Sequence, residues 1–229
     1  MTSPSWPTIG QVIFCVVWAA LMVHLINQFK KPTRWVGRLF TWLMNISHSS
    51  LTDWGLTHVD IEPNFTILDV GCGGGRTTEK LSALAPIGMV YGVDYAEGSV
   101  AASRARNAQL IKAGRAEIHQ GSVSALPFPD SKFDLVTAIE TQYYWPDLVN
   151  DMREILRVLK PGGELIVIAE SYRKGTHNAL QRPVMKLLKA SNLSVDDHRQ
   201  LFSAAGYTAI EIFEEQRKGW VCGIGDKPI

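Results

Sequence analysis

The chain has 229 residues, 46% of them hydrophobic, with 23 Lys and Arg against 22 Asp and Glu for a formal net charge of +1. This length suits one α/β domain with an appendage and is short for two full domains, and the balanced charge leaves no global field to draw nucleic acid. The three cysteines, Cys15, Cys72 and Cys222, show no CxxC or Cys/His spacing, so neither a disulfide framework nor a metal site is indicated and a reducing compartment fits.

In chain order, residues 9–26 read IGQVIFCVVWAALMVHLI, with only Gln11 and His24 strongly polar. These eighteen residues are at the lower limit for a bilayer span. No Lys or Arg precedes them, whereas Lys30, Lys31, Arg34 and Arg38 follow closely. The pattern predicts a retained single-pass anchor with the rest of the chain on the cytoplasmic side. The alternative is a buried helix or dimer contact of a cytoplasmic protein. Residues 33–46 then place Trp35, Leu39, Trp42, Leu43 and Ile46 on one helical face, which would lie in the headgroup layer or pack over the domain as a lid. His48 sits among Ser and Asn and is a candidate base or orienting group. The expected organisation is a hydrophobic helix and flank over 1–31, a lid or linker over 32–60, and one ligand-binding domain over 61–229.

Beyond Glu62-Pro63-Asn64 regular alternation begins. Strands are expected at 66–70, 89–93, 116–120, 133–139 and 164–168, separated by helices at 76–84, 98–112 and 146–159. Residues 159–163, Leu-Lys-Pro-Gly-Gly, read as a helix stop and a turn. A weaker helix near 178–189 is interrupted by Pro183. Residues 194–205 form a helix with Ser194 as its N-cap, Asp196 and Asp197 in its first turn and Gly206 as its stop. Two last strands, 207–213 and 219–223, are joined by a charged turn and form a hairpin. The fold class is therefore α/β: a doubly wound, mostly parallel seven-stranded sheet with an antiparallel last strand, plus N-terminal helices.

Ligands of such sheets sit outside the carboxyl ends of the strands. At that edge the first strand runs into Gly71-Cys72-Gly73-Gly74-Gly75, where glycines let backbone amides approach a ligand. Cys72 reads as a small packing residue rather than a nucleophile. A glycine turn also suits a dinucleotide pyrophosphate, but Asp69 just before it would sit poorly beside phosphates and can instead organise the loop or attract an ammonium. Asp94 closes the second strand, where a carboxylate can accept from both hydroxyls of a ribose. Gly121-Ser122-Val123 and Leu126-Pro127-Phe128 offer a polar side chain, a backbone amide and apolar walls for a base. Anchors for an amino acid, a ribose and a base together describe an adenosyl amino acid.

The successive segments LDVGCGGGR, GVDYAEGSV, GSVSALPFPDSKFDLV and MREILRVLKPGGELIVIAE resemble class I S-adenosylmethionine-dependent methyltransferases of the ubiquinone/menaquinone-biosynthesis-like type, over roughly residues 45–213. The resemblance implies a Rossmann-like domain that uses S-adenosyl-L-methionine and releases S-adenosyl-L-homocysteine. It implies Asp69, Gly71 and Gly73 around the methionine moiety, Asp94 on the ribose, Tyr95 near the adenine, and Ser122 and Val123 closing on the adenine edge. Many relatives carry Asp where Ser122 stands, so here a backbone contact from Val123 is left to read that edge.

Methyl transfer from a sulfonium is an in-line displacement with a good leaving group, so the protein chiefly positions the acceptor and excludes water. The acceptor site is expected at the end of the fourth strand, Glu140-Thr141-Gln142-Tyr143-Tyr144-Trp145. Glu140 is the acidic group nearest the expected methyl, as a cofactor or catalytic contact or as an organiser of its loop. Tyr144 and its aromatic neighbours would wall the acceptor, and His48 and His177 are further candidate bases. The expected function is methyl transfer to a small, hydrophobic or aromatic acceptor. The alternative is a non-catalytic S-adenosylmethionine-binding module of a membrane-associated complex.

Overall fold

Strands buried on both faces form the centre of the structure. In the computed structural model, which describes residues 49–170 and 193–229, the strands are β1 (Thr66–Val70), β2 (Met89–Asp94), β3 (Ala116–Gln120), β4 (Phe133–Ile139), β5 (Leu159–Glu170), β6 (Thr208–Glu215) and β7 (Trp220–Asp226). They form one sheet in the order β3-β2-β1-β4-β5-β7-β6. The first five pair in parallel, and β7 enters antiparallel between β5 and β6. The doubly wound, mostly parallel sheet with its antiparallel last strand is thus as expected. The order reverses between β1 and β4, and at such a switch point the connections leave to opposite faces and open a crevice.

The helices are α1 (Ser49–Gly55), α2 (Arg76–Leu84), α3 (Glu97–Arg106), α4 (Ala108–Lys112), α5 (Leu148–Val158) and α6 (Val195–Ala205). Because side chains alternate across a strand, Leu68, Val136 and Leu165 pack with Met152 and Ile155 of α5 and Phe202 of α6. Their neighbours Ile67, Leu135 and Ile166 pack on the other face with Leu51 of α1 and Leu81 of α2. The strands read as continuous apolar runs because both faces are covered. Full burial of a side chain such as Ile155 contributes about 2 kcal/mol.

Two local expectations are corrected. The helix expected over 98–112 begins at Glu97 and breaks at Asn107, whose Nδ2 donates to Gly75 O and Ser103 O, both at 3.0 Å. A tertiary hydrogen bond to the glycine loop outweighs continuation of the helix there. The Leu159-to-Gly163 stretch is not a free turn but the start of β5. Leu159 pairs with Phe133, an irregularity follows, and Glu164 pairs with Leu135. Gly162 N donates to Lys227 O (2.9 Å) and Lys227 N to Gly163 O (2.8 Å), so the end of the chain supplies the partners that draw this stretch into the sheet. By contrast α6 starts on Ser194 in a capping box with Asp197 and stops at Gly206, φ 101°, as anticipated.

The anchor over 9–26, the amphipathic helix over 33–46, the helix near 178–189, and His48 and His177 lie outside the described residues. Among the described residues no helix is long and apolar enough to cross a membrane.

Candidate functional site

The loop after β1 is shaped by backbone geometry that only glycine adopts without strain. Gly71 has φ 71°, and a Cβ there would run into the Thr141 side chain, 2.7 Å from its Cβ. Gly75, φ 80°, caps the start of α2 against Ser103, whose Cα would stand 2.8 Å from an added Cβ. Gly71 N and Cys72 N both donate to Val93 O, at 2.8 and 3.1 Å, which turns the loop toward the end of β2. There Gly73 N donates to Asp94 Oδ2 (3.0 Å) and Ala96 N to Asp94 Oδ1 (2.9 Å). Asp94 therefore ties the β1 and β2 loops together while facing the crevice. Burial raises its carboxyl above the usual carboxylate value, opposed by these two amides.

The crevice is a cavity of about 650 Å³ at the carboxyl ends of the strands. Val70 and Gly71 line it from β1, Val93, Asp94 and Tyr95 from β2, and Gly121, Ser122 and Val123 from beyond β3. Thr141, Tyr144, Trp145 and Pro146, beyond β4, close the opposite side. Its volume is in the range of about 300–1,000 Å³ usual for small-molecule sites. Tyr95 is 50% exposed at the rim, and its hydroxyl is pushed up to about 12 by burial, with the charge of Asp94 and then Tyr144 adding to the shift.

Of the residues singled out in the sequence, Gly71, Asp94, Tyr95, Ser122, Val123 and Tyr144 come together on this cavity. Asp69, Gly73 and Glu140 are not among its lining residues. Asp69 lies beneath the loop, 2% exposed, where it accepts from Thr78 Oγ1 at Oδ2 (3.0 Å) and from Thr137 Oγ1 at Oδ1 (3.1 Å). Burial pushes it up to about 6 against these two hydrogen bonds. Glu140 has φ 56°, and its Oε1 accepts from Tyr143 OH (2.8 Å) and Glu170 N (2.7 Å). It fastens the turn after β4 to the end of β5. Burial pushes it up to about 8, opposed by the Tyr143 hydroxyl and assisted by the charge of Glu170.

Sequence reasoning missed the supports. Thr137 faces Asp69 because the two are register partners across β1 and β4, a relationship that requires knowing that fourth and first strands are neighbours. Arg157 donates to Phe128 O (2.9 Å) and Leu126 O (3.2 Å) and pairs with Glu154 and Asp130, holding the loop after β3 on α5. Burial raises Cys72 well above its ordinary thiol value, and with its Sγ 3.8 Å from Ser103 Oγ it packs behind the loop.

The lining residues include one carboxylate and, among the described residues, no Lys or Arg. That set suits a cationic or neutral ligand and not a pyrophosphate. A family model described as a methyltransferase domain matches residues 68–167, the span from β1 into β5 that builds this cavity. With its sheet order and glycine loop, this span is similar to class I S-adenosylmethionine-dependent methyltransferase domains. The chain is 38% identical over 108 residues to the demethylmenaquinone methyltransferase of Lactococcus lactis, covering 47% of this chain and 42% of that protein. The chain spans about half the length of the curated relatives it matches. Among solved structures, a chain from the complex between the Haloferax volcanii Trm112 methyltransferase activator and a putative methyltransferase shares the fold, with a TM-score of 0.72, 22% identity, and coverage of 84% of this chain and 95% of that one. Phosphoethanolamine N-methyltransferase 2 of Haemonchus contortus, solved with S-adenosyl-L-methionine, shares it with a TM-score of 0.68, 15% identity, and coverage of 79% and 53%.

The residues lining the cavity fit S-adenosylmethionine. A nearly buried carboxylate can take a diol, Gly71 lets the loop pack closely against Thr141 at the cavity's edge, and aromatic and apolar walls accept a flat base. S-adenosylmethionine supplies an electrophilic methyl on a cationic sulfur. The protein's share is to bind, align and exclude water.

Proposed function

We propose that the whole chain is a methyltransferase that moves a methyl group from S-adenosylmethionine to a small, apolar or aromatic acceptor. The observation that carries this reading is that Asp94, Tyr144 and Trp145 line one cavity at the β1–β4 switch point, a carboxylate together with aromatic side chains. Asp94 accepts from the ribose hydroxyls, Tyr95 packs near the adenine, and Ser122 with the Val123 backbone reads the adenine edge. Gly71 and Gly73 shape the methionine end, with Asp69 and Glu140 acting from behind as organisers. Tyr144, in the wall, is the side chain best placed to touch the acceptor, and His48 is retained as a candidate base.

Relatives named demethylmenaquinone methyltransferase support an acceptor of that apolar, aromatic class. The apolar run over 9–26 and the basic residues after it support a tether that leaves the domain on the cytoplasmic side of a membrane, within reach of such a molecule.

Titration calorimetry with S-adenosylmethionine tests the cofactor half. Wild type binds, and Asp94→Ala weakens binding by about tenfold or more, the loss of charge-assisted hydrogen bonds; equal binding by the variant sinks the assignment. Transfer of labelled methyl to a panel that includes demethylmenaquinone separates an enzyme from a binder. Recovery of the full chain in a detergent-free soluble extract, indistinguishable from a deletion that starts at Pro32, would remove the tether.

A further inference from the structure

Two walls of the cavity come from segments far apart in sequence, and one buried side chain joins them. Asp151, in the first turn of α5, is 1% exposed. Its Oδ1 accepts from Ser124 Oγ at 2.6 Å, and its Oδ2 accepts from Asp147 N at 2.9 Å. Ser124 belongs to the short turn that carries Ser122 and Val123, since its own N donates to Ser122 Oγ (3.2 Å) and Ser122 bridges to Ala125. Asp147 follows Trp145 and Pro146 directly, and these two form part of the opposite wall. Each carboxylate oxygen thus holds one wall, and both donors are neutral groups.

Helix capping accounts for only half of this arrangement. Asp147 already caps α5 with its own side chain, which accepts from Asn150 N. A second acid serving only the cap would not reach out to Ser124, 27 residues away in sequence. Among the described residues no cation pairs with Asp151, and its two hydrogen bonds offset the cost of burying the carboxylate. Such a group is sensitive to loss of either partner.

We infer that Asp151 is a positioning residue that couples the wall formed by Ser122 and Val123 to the wall formed by Trp145 and Pro146, so that the cofactor's base end and the acceptor end adjust together. The inference rests on the assignment of this cavity as the cofactor and acceptor site. It predicts that a change at Ser124, which is exposed, belongs to the near wall and donates to Asp151, is felt at the far one.

The experiment is hydrogen exchange on the full chain in mild detergent, without ligand, for wild type, Ser124→Ala, Ser124→Thr and Asp151→Asn. Ser124→Ala speeds exchange across residues 122–126 and also at the Asp147 amide; Ser124→Thr, which keeps the hydroxyl, restores both. Asp151→Asn loosens the same two stretches. S-adenosylmethionine then binds Ser124→Ala about five- to tenfold more weakly than wild type, as expected for one lost hydrogen bond to a charged group, with Ser124→Thr close to wild type. Faster exchange confined to 122–126 in Ser124→Ala, or equal affinity in all four proteins, overturns the coupling and leaves Asp151 a helix cap. Absence of cofactor protection at both walls in wild type overturns the site assignment instead, and the ligand-free comparison still decides whether the two walls are tied.

Discussion

Thr137 Oγ1 lies 3.1 Å from Asp69 Oδ1 across the β1–β4 pair, and together with Thr78 it holds a buried carboxylate directly under the glycine loop. The carboxylate is strapped on one side to the sheet and on the other to the first turn of α2, so the loop between them is held at both ends. Asp69 is in consequence part of the loop's foundation.

Its ionisation carries a stability cost with a definite sign. Burial raises Asp69 from 3.8 to about 6 despite the two threonine hydroxyls. The native state therefore holds a proton between those values that the unfolded chain has lost, and the group's contribution to stability falls as pH rises through that window. The full effect is on the order of 3 kcal/mol. Asp69→Asn removes the titration and lets both threonines keep a partner. Thermal melts at pH 4 and pH 7.5 are expected to show the variant gaining on wild type as pH rises; a constant difference between the two proteins contradicts this account.

Glu140 behaves in the same sense over a higher range. Burial raises it from 4.5 to about 8, so wild type loses stability relative to Glu140→Gln as pH rises from about 5 to 9. Glutamine resembles the protonated acid and can still accept from Tyr143 and Glu170 N. At pH 4, below both values, the two proteins are expected to melt alike, and at pH 9 the variant is expected to melt higher. A methyl-transfer rate that drops about 100-fold in the variant at pH 6 would instead make Glu140 a catalytic group.

Gly71 tests the loop itself. Alanine there meets both a left-handed backbone, φ 71°, and the Thr141 side chain. Gly71→Ala is expected to cost about 1–3 kcal/mol in urea unfolding. Adding Thr141→Gly removes the collision but not the backbone strain, so the double variant should recover only part of the loss. Full recovery would place the whole cost in the collision.

How much was legible in advance follows from which signals are local. The run from Thr66 to Val70 and the helix from Arg76 to Leu84 were readable to the residue, because apolar runs, glycines and helical spacing act over a few positions. In the cavity set, Gly71, Asp94, Ser122, Val123 and Tyr144 were readable because they lie at or beyond recognisable strand ends in a parallel sheet, and Tyr95 was named only through the family resemblance. Asn107 was missed because its neighbours favour helix, and only the Gly75 carbonyl, reached by folding, explains the break. Residues 159–163 were misread for the same reason, since their partner Lys227 comes from the other end of the domain.

By itself, then, the sequence determined the alternation of strands and helices, the glycine turn and the acidic strand end, which rest on backbone sterics and hydrophobic period. The tertiary structure decided what each acid does. Asp94 faces the cavity, while Asp69, Glu140 and Asp151 are used up by Thr137, Glu170 N and Ser124. A carboxylate's role depends on its burial and on which donors the sheet order brings within 3 Å or so, and neither is set by the residues next to it in the chain.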